Sequence, residues 1–252
     1  MGKHTIAVII ATLIVATLGL SSLGGEWVLG TFWKWKATGA QSCSVTSTVT
    51  IYVLTATTVL DAQVYVLGQV NQIEDATFVT LGEAIREPGY PIQAFGVSFQ
   101  NDAEWRLNPP GWESRESSSW PVGSTAGSRT IVRKVETNEA SVSVPAGEYA
   151  CCSKLVISNH GVYPDGTVDQ QKTIWYSHDL DWPVKINDTG TFQGTPYTRT
   201  TTLVETGRMR PADAVEQILA AIDKMEEQRD IPASAIGTIR WKLLSLGILK
   251  QP

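Results

Sequence analysis

The sequence predicts a mainly β protein: an N-terminal transmembrane or signal helix, a curved antiparallel sheet of half-barrel or sandwich type, and a C-terminal αα-hairpin. Three observations carry this expectation. Thr5–Leu20 holds no charged side chain and follows Lys3 and His4. From Val45 onward, β-branched residues recur with period two, in runs separated by turn residues. After Gly207 the apolar spacing becomes helical.

A basic start before an apolar run is the pattern of an export signal or a membrane anchor. A spanning helix takes ~20 apolar residues, and a signal core takes about 7–15. Thr5–Leu20, prolonged without charge to Gly25, lies between the two. No Ala-x-Ala follows, so an uncleaved anchor is the first expectation and cleavage the second. No cysteine follows the run, which argues against a bacterial lipoprotein anchor. A buried core helix would show a polar face, and this run has none. The helix is expected to continue through Trp27 to Trp35, with Lys34 and Lys36 at a membrane–water interface. The expected domains are an anchor or signal at 1–31, an extracytoplasmic β domain at 32–207 and a helical hairpin at 208–252. The membrane is then one partner, reached through the N-terminal helix.

Composition narrows the function classes. Charged residues make up 18% of the chain, and the net charge is −5. That is below the ~25% of an average soluble domain. There is no basic footprint, so no nucleic-acid partner is expected.

In the first β run, Val45, Ser47, Val49, Ile51 and Val53 alternate with Thr46, Thr48, Thr50, Tyr52 and Leu54. Similar runs follow at 62–70, 77–81, 92–99, 129–136, 140–145, 149–158, 172–178, 183–187 and 198–206. Turn residues divide them at Glu87-Pro88-Gly89, Pro145-Ala146-Gly147, Pro164-Asp165-Gly166 and Asp188-Thr189-Gly190. The stretch 106–128, rich in Pro, Gly and Ser, reads as a long loop crossing the sheet.

Beyond Gly207, Pro211 suits the first position of a helix. Val215, Ile218, Leu219, Ile222 and Met225 form its apolar stripe. Asp230-Ile231-Pro232 breaks it. A second helix carries Ile236, Ile239, Leu243 and Leu246 and closes at Gly247. Acids outnumber bases in the first helix, so the pair reads as a packing or protein-contact element and not as a DNA reader.

The cysteines are Cys43, Cys151 and Cys152. In an exported chain the arithmetic favours one disulfide and one leftover thiol. Adjacent strand residues point to opposite faces, so Cys43 is expected to pair with either Cys151 or Cys152. Three buried free thiols is the alternative.

Val142-Ser143-Val144-Pro145-Ala146-Gly147-Glu148-Tyr149-Ala150-Cys151-Cys152 resembles the "VPAG-x-[FY]" strand–turn–strand of TapB-like envelope proteins, which are placed near the LolA-like half-barrels. Thr173-Ile174-Trp175-Tyr176-Ser177, Val184-Lys185 and Thr202-Leu203-Val204-Glu205 follow in the group's order. Upstream, Trp120-Pro121-Val122-Gly123-Ser124 resembles its entry, after Trp105-Arg106-Leu107. The resemblance covers roughly 100–207. Asp181-Trp182-Pro183 departs from it by replacing the Gly before Val-Lys, and the hairpin after 207 lies outside it. The resemblance implies a curved antiparallel sheet wrapped on a helix or an apolar ligand, and it implies no catalytic residue.

No nucleophile elbow, zinc-protease motif or phosphate loop is present, so the chain reads as a non-enzyme with no cofactor and no metal. His178-Asp179-Leu180-Asp181, with Asp165 and Asp169, falls short of the 6–8 oxygens calcium takes and reads as a polar loop. Of the nine tryptophans, Trp175 sits between Ile174 and Tyr176 and reads as structural. Trp105, Trp112, Trp120 and Trp182, at loops or strand ends, are the candidates for ligand or partner contact. Asn187-Asp188-Thr189 is a formal glycosylation acceptor beside an expected turn.

These observations lead to a cell-envelope protein, membrane-anchored or secreted, that binds or scaffolds at the extracytoplasmic surface. An apolar ligand in the sheet's concave face is one form of that function, and self-association or an envelope-protein partner is another. The alternatives are a structural subunit of a surface layer or filament and, more weakly, a carbohydrate-active enzyme.

Overall fold

The computed structural model describes residues 27–40, 44–59, 62–86, 92–94, 97–99, 108–122, 125–163, 166–180, 182–192, 194–228 and 231–249. The expected N-terminal apolar helix lies outside them. Among the described residues no helix is long and apolar enough to cross a membrane.

Among the described residues, twelve strands and two helices are formed. The strands are β1 (Thr31–Ala40), β2 (Ser44–Val59), β3 (Ala62–Ile73), β4 (Ala76–Arg86), β5 (Ile92–Ala94), β6 (Val97–Phe99), β7 (Glu113–Val122), β8 (Thr125–Val144), β9 (Gly147–Tyr163), β10 (Gly166–Ser177), β11 (Trp182–Phe192) and β12 (Thr195–Arg208). The helices are α1 (Pro211–Glu226) and α2 (Ala233–Ser245). Ten strands join in one sheet of order β4-β3-β2-β1-β12-β11-β10-β9-β8-β7, and β5–β6 pair by themselves. The expected mainly β antiparallel architecture with two C-terminal helices is therefore present.

The chain divides into two compact units. The first takes in the described residues up to Trp35, those of Ser47–Asp102, and those from Glu205 on. The second takes in Lys36–Thr46 and Ala103–Val204.

In the first unit β2 and β3 are buried on both faces, from Ile51 to Leu54 and from Val64 to Ile73 apart from Gln72. This is why the runs Ile-Tyr-Val-Leu and Val-Tyr-Val-Leu are apolar without interruption where a half-exposed strand would alternate. One face carries Tyr52, Leu54, Val70 and Val79, which pack against Ala214, Ile218, Ala221, Ile222 and Met225 of α1 and Ile236 and Leu243 of α2. A Cβ at Gly68 would meet Ile218 Cδ1 at 2.6 Å, so a glycine lets the helix approach this closely. Gln228, just past α1, accepts from the Thr77 N–H at 3.2 Å and donates to the Thr77 carbonyl at 3.0 Å. That side-chain amide satisfies part of the β4 edge, which would otherwise offer a template for pairing. Arg240 ties α2 to α1 through Asp223 and Glu226.

Both helices begin and end where the sequence places them. α1 starts at Pro211, and Asp213 in its first turn pairs with Arg210. Past α2, Gly247 adopts φ +67 while Ile248 and Leu249 N–H groups bond Leu243 O, as a left-handed C-terminal stop requires.

Four expectations are corrected. Trp27–Trp35 does not continue a helix: Trp33 and Trp35 lie on β1, 2% and 1% exposed, with Trp27 ring-to-ring with Trp33 and Tyr65 at 5.5 and 5.3 Å. Their alternation with Lys34 and Lys36 is a strand's period, and the burial follows from it. The stretch 106–128 is not one loop, because it contains β7 and the start of β8, paired from Glu113↔Lys134 to Val122↔Thr125. β7 is exposed over most of its length, so nothing selects apolar residues for either face and no alternation marks it. The run 92–99 is two short strands. Asp188-Thr189-Gly190 is not a turn, because β11 runs through it and the chain turns at Gly194, φ +76. Gly190 is needed there for close approach: a Cβ would stand 2.0 Å from Asp169 O across the ladder.

Candidate functional site

The second unit offers one face of a sheet to solvent and buries the central part of the other. Pairing fixes which residues share a face. On the buried side Val135, Leu155, Ile174, Val184, Ile186 and Leu203 form the apolar floor. Beside them lies a polar hub on Asp188, 1% exposed. Its carboxylate accepts from Gln170 Nε2 at 3.0 and 3.1 Å, from Tyr197 Oη at 3.1 Å and from Arg199 Nη2 at 3.0 Å. Burial, then the Asp188 charge, raises the Tyr197 phenol above its ordinary range, so it stays a neutral donor. A buried carboxylate saturated with donors in this way is structural, with no lone pair turned toward solvent.

The outward face is different. A groove of about 450 Å³ crosses it, lined by Arg115 of β7, Thr130 of β8, Ser158 and His160 of β9, Asp169 and Gln171 of β10, and Thr189 of β11. His160 stands opposite Asp169 in the register, and its Nδ1 lies 2.5 Å from Asp169 Oδ1. Both side chains are more than half exposed, so the pair orients the imidazole and adds little to stability. Further along the same face, Lys154, Trp175 and Lys185 lie side by side on three strands. The half-buried indole of Trp175 has Lys154 Nζ 5.8 Å and Lys185 Nζ 5.2 Å from its ring centroid. Lys154 is also bound to Glu136 at 2.7 Å.

The expected contact tryptophans fare unequally. Trp105 lies outside the described residues. Trp120 is in β7 and Trp182 opens β11, and their side chains lie outside the description. Trp112 is half-buried just before β7, with its carbonyl accepting from Val135 N–H at 3.0 Å. Trp175, expected to be structural, presents an aromatic ring on the outer face.

Cys43 lies outside the described residues. Cys151 and Cys152 are free thiols, one exposed and one buried, so the expected bridge from Cys43 to either of them is not formed. Cys151 sits at φ +55 in a stretch where β8 and β9 slip register three times, so the strand bulges there. Burial, then Asp179 and Cys151, pushes the Cys152 thiol up to about 11. Asn187 lies inside β11 between Thr173 and Thr200, with its Oδ1 buried, and not beside a turn. His178 and Asp179 do occupy a turn after β10. His178 Nε2 lies 3.0 Å from buried Ser153 Oγ, which donates to Asn138 Oδ1 at 2.9 Å. Among the described residues no three His, Cys, Asp or Glu side chains are placed to hold a metal ion.

No protein-family model matches the chain, and no curated protein matches it. Among solved structures it is similar to a lipoprotein of Parabacteroides distasonis, at 14% identity and TM-score 0.44, over 71% of this chain and 96% of that one. A second is an exported protein with a YmcC-like fold from Bacteroides fragilis, at 10% identity and TM-score 0.38, over 72% and 97% of the two chains. A third is the lipoprotein YmcC of Escherichia coli, at 10% identity and TM-score 0.35, over 78% and 96%. None of the three is described as LolA-like or TapB-like, and likenesses of this degree carry no conclusion about activity.

Proposed function

We infer that the chain is a non-enzymatic cell-envelope protein whose β domain stands on the extracytoplasmic side and works by binding or scaffolding. The location is supported by the uncharged run Thr5–Leu20 behind Lys3. The observation that carries scaffolding or polar binding over an apolar ligand is the seating of the helical hairpin. Ile218 and Ile222 of α1 and Leu243 of α2 are fully buried against Tyr52, Leu54, Val70 and Val79. The chain's own helices fill the apolar face that a lipid-like ligand would need on β2–β4. A ligand or partner then meets the hydroxyl-, amide- and cation-bearing outer face of β7–β11.

Deleting residues 208–252 tests this. The hairpin's removal uncovers a contiguous apolar patch of the kind that drives association. The truncated protein is expected to bind an apolar dye or to self-associate, while the intact protein does neither and carries no stoichiometric lipid in native mass spectrometry. A truncated domain that folds, stays monomeric and ignores the dye would show that the hairpin covers nothing. The apolar-ligand form of the function would then be the better reading.

A further inference from the structure

We propose that the outer face of β7–β11 binds an acidic glycan, a polysaccharide bearing carboxylate groups. The proposal rests on the binding reading above and names the ligand class of that face.

The first argument is charge. The chain as a whole carries −5, yet this face presents Arg115, Lys134, Lys154 and Lys185 against Glu113, Glu136 and Asp169. Glu136 is already matched to Lys154, and Asp169 to His160. Arg115 and Lys185 meet no carboxylate among the described residues, whereas Arg199, Arg210 and Arg240 each have at least one. An excess of unmatched cations on one face of an acidic protein attracts an anionic ligand to that face. Arg115 lines the groove, and its planar fork suits a carboxylate held through two parallel hydrogen bonds.

The second argument is the floor. Ser158, Gln171 and Thr189 line the groove beside the apolar Val132, and each of the three both donates and accepts, as a hydroxyl-rich ligand requires. The groove crosses five strands, from Arg115 on β7 to Thr189 on β11. At about 4.8 Å per strand this is about 19 Å, the reach of an extended polymer laid across the strands. A peptide is recognised on a sheet chiefly at its edge, where free backbone groups extend the ladder. From β8 to β11 each strand is paired on both sides, and there side chains alone offer hydrogen bonds. Further along the face, Lys154 and Lys185 Nζ both lie over the Trp175 ring, 5.8 and 5.2 Å from its centroid, so the indole holds two positive charges together where an anionic ligand can meet them.

The test is fluorescence anisotropy of the full chain with a labelled polygalacturonate oligomer, at low and at physiological salt. Unlabelled dextran and polyglutamate oligomers serve as competitors. Polygalacturonate is expected to bind and to be displaced by neither competitor at equal concentration. The double variant Arg115→Gln, Lys185→Gln should weaken binding about tenfold or more, equivalent to about 1.4 kcal/mol. Trp175→Ala should weaken it further than Trp175→Phe, which keeps an aromatic face. All of these side chains are at least partly exposed, and unchanged circular dichroism checks that the variants fold. Equal competition by dextran would overturn the acidic class while keeping a binding face. Equal competition by polyglutamate would overturn the glycan. No binding of polygalacturonate, or binding that the double variant leaves unchanged, would overturn the proposal outright, with the scaffolding reading still judged by the hairpin deletion.

Discussion

Replacing Asp188 with alanine should cost about 3–5 kcal/mol of stability, the range for removing one partner of a buried ion pair. The carboxylate is 1% exposed and serves three donors from β10 and β12: Gln170, Tyr197 and Arg199. Its loss strands the Arg199 guanidinium, whose side chain is only 15% exposed, and leaves the Tyr197 hydroxyl without its acceptor. Replacing Arg199 and Asp188 together with apolar residues of similar volume should cost much less than Asp188→Ala alone, because no buried charge is then left unmatched. Urea unfolding checks both. An Asp188→Ala unfolding free energy within about 1 kcal/mol of the parent's would show that the hub holds nothing together.

Ile222→Ala should cost about 2–5 kcal/mol, the range for truncating a fully buried aliphatic side chain. Ile222 is 0% exposed and lies in the cluster of Tyr52, Leu54, Val70 and Val79 with Ile218 and Met225. The helix cannot sink to close the cavity, because Gly68 already stands against Ile218 and Gln228 is fixed to Thr77. Leu219→Ala, half-buried on the flank of the same helix, should cost clearly less. Equal effects at the two positions in thermal or urea unfolding would mean that α1 does not seat this stripe on the sheet.

Much of this was legible in the sequence where one physical signal dominated. Pro211, Asp230-Ile231-Pro232 and Gly247 mark the two helices because backbone stereochemistry is local. Tyr163 pairs with Gly166, and that register sets His160 opposite Asp169 and Lys154 opposite Trp175. The outer-face pair was thus within reach of counting back from a hairpin. The Asp188 hub was not. A turn placed at Asp188-Thr189-Gly190 ends the strand early, whereas the real turn near Gly194 pairs Thr195 with Phe192 and so sets Arg199 opposite Asp188. Asp and Gly favour turns by local propensity, and here long-range packing overrides it: the carboxylate is buried among donors, and the glycine lets two backbones touch. β7 was missed for the opposite reason, since an exposed edge strand such as Glu-Ser-Arg-Glu-Ser-Ser-Ser needs no apolar residue on either face. Trp33 and Trp35 were misread because an apolar run just upstream made a helix look continuous, although their alternation with Lys34 and Lys36 is that of a strand.

The account stands or falls on where the β domain lives. By the positive-inside rule Lys3 is expected to stay in the cytoplasm, with the chain beyond about residue 30 outside. Protease added to intact cells or spheroplasts, followed by detection of the chain with an antibody to the C-terminal hairpin, measures this directly. The expected result is loss of the full-length band without lysis. Full protection until the cells are broken would place the domain inside and contradict the envelope reading.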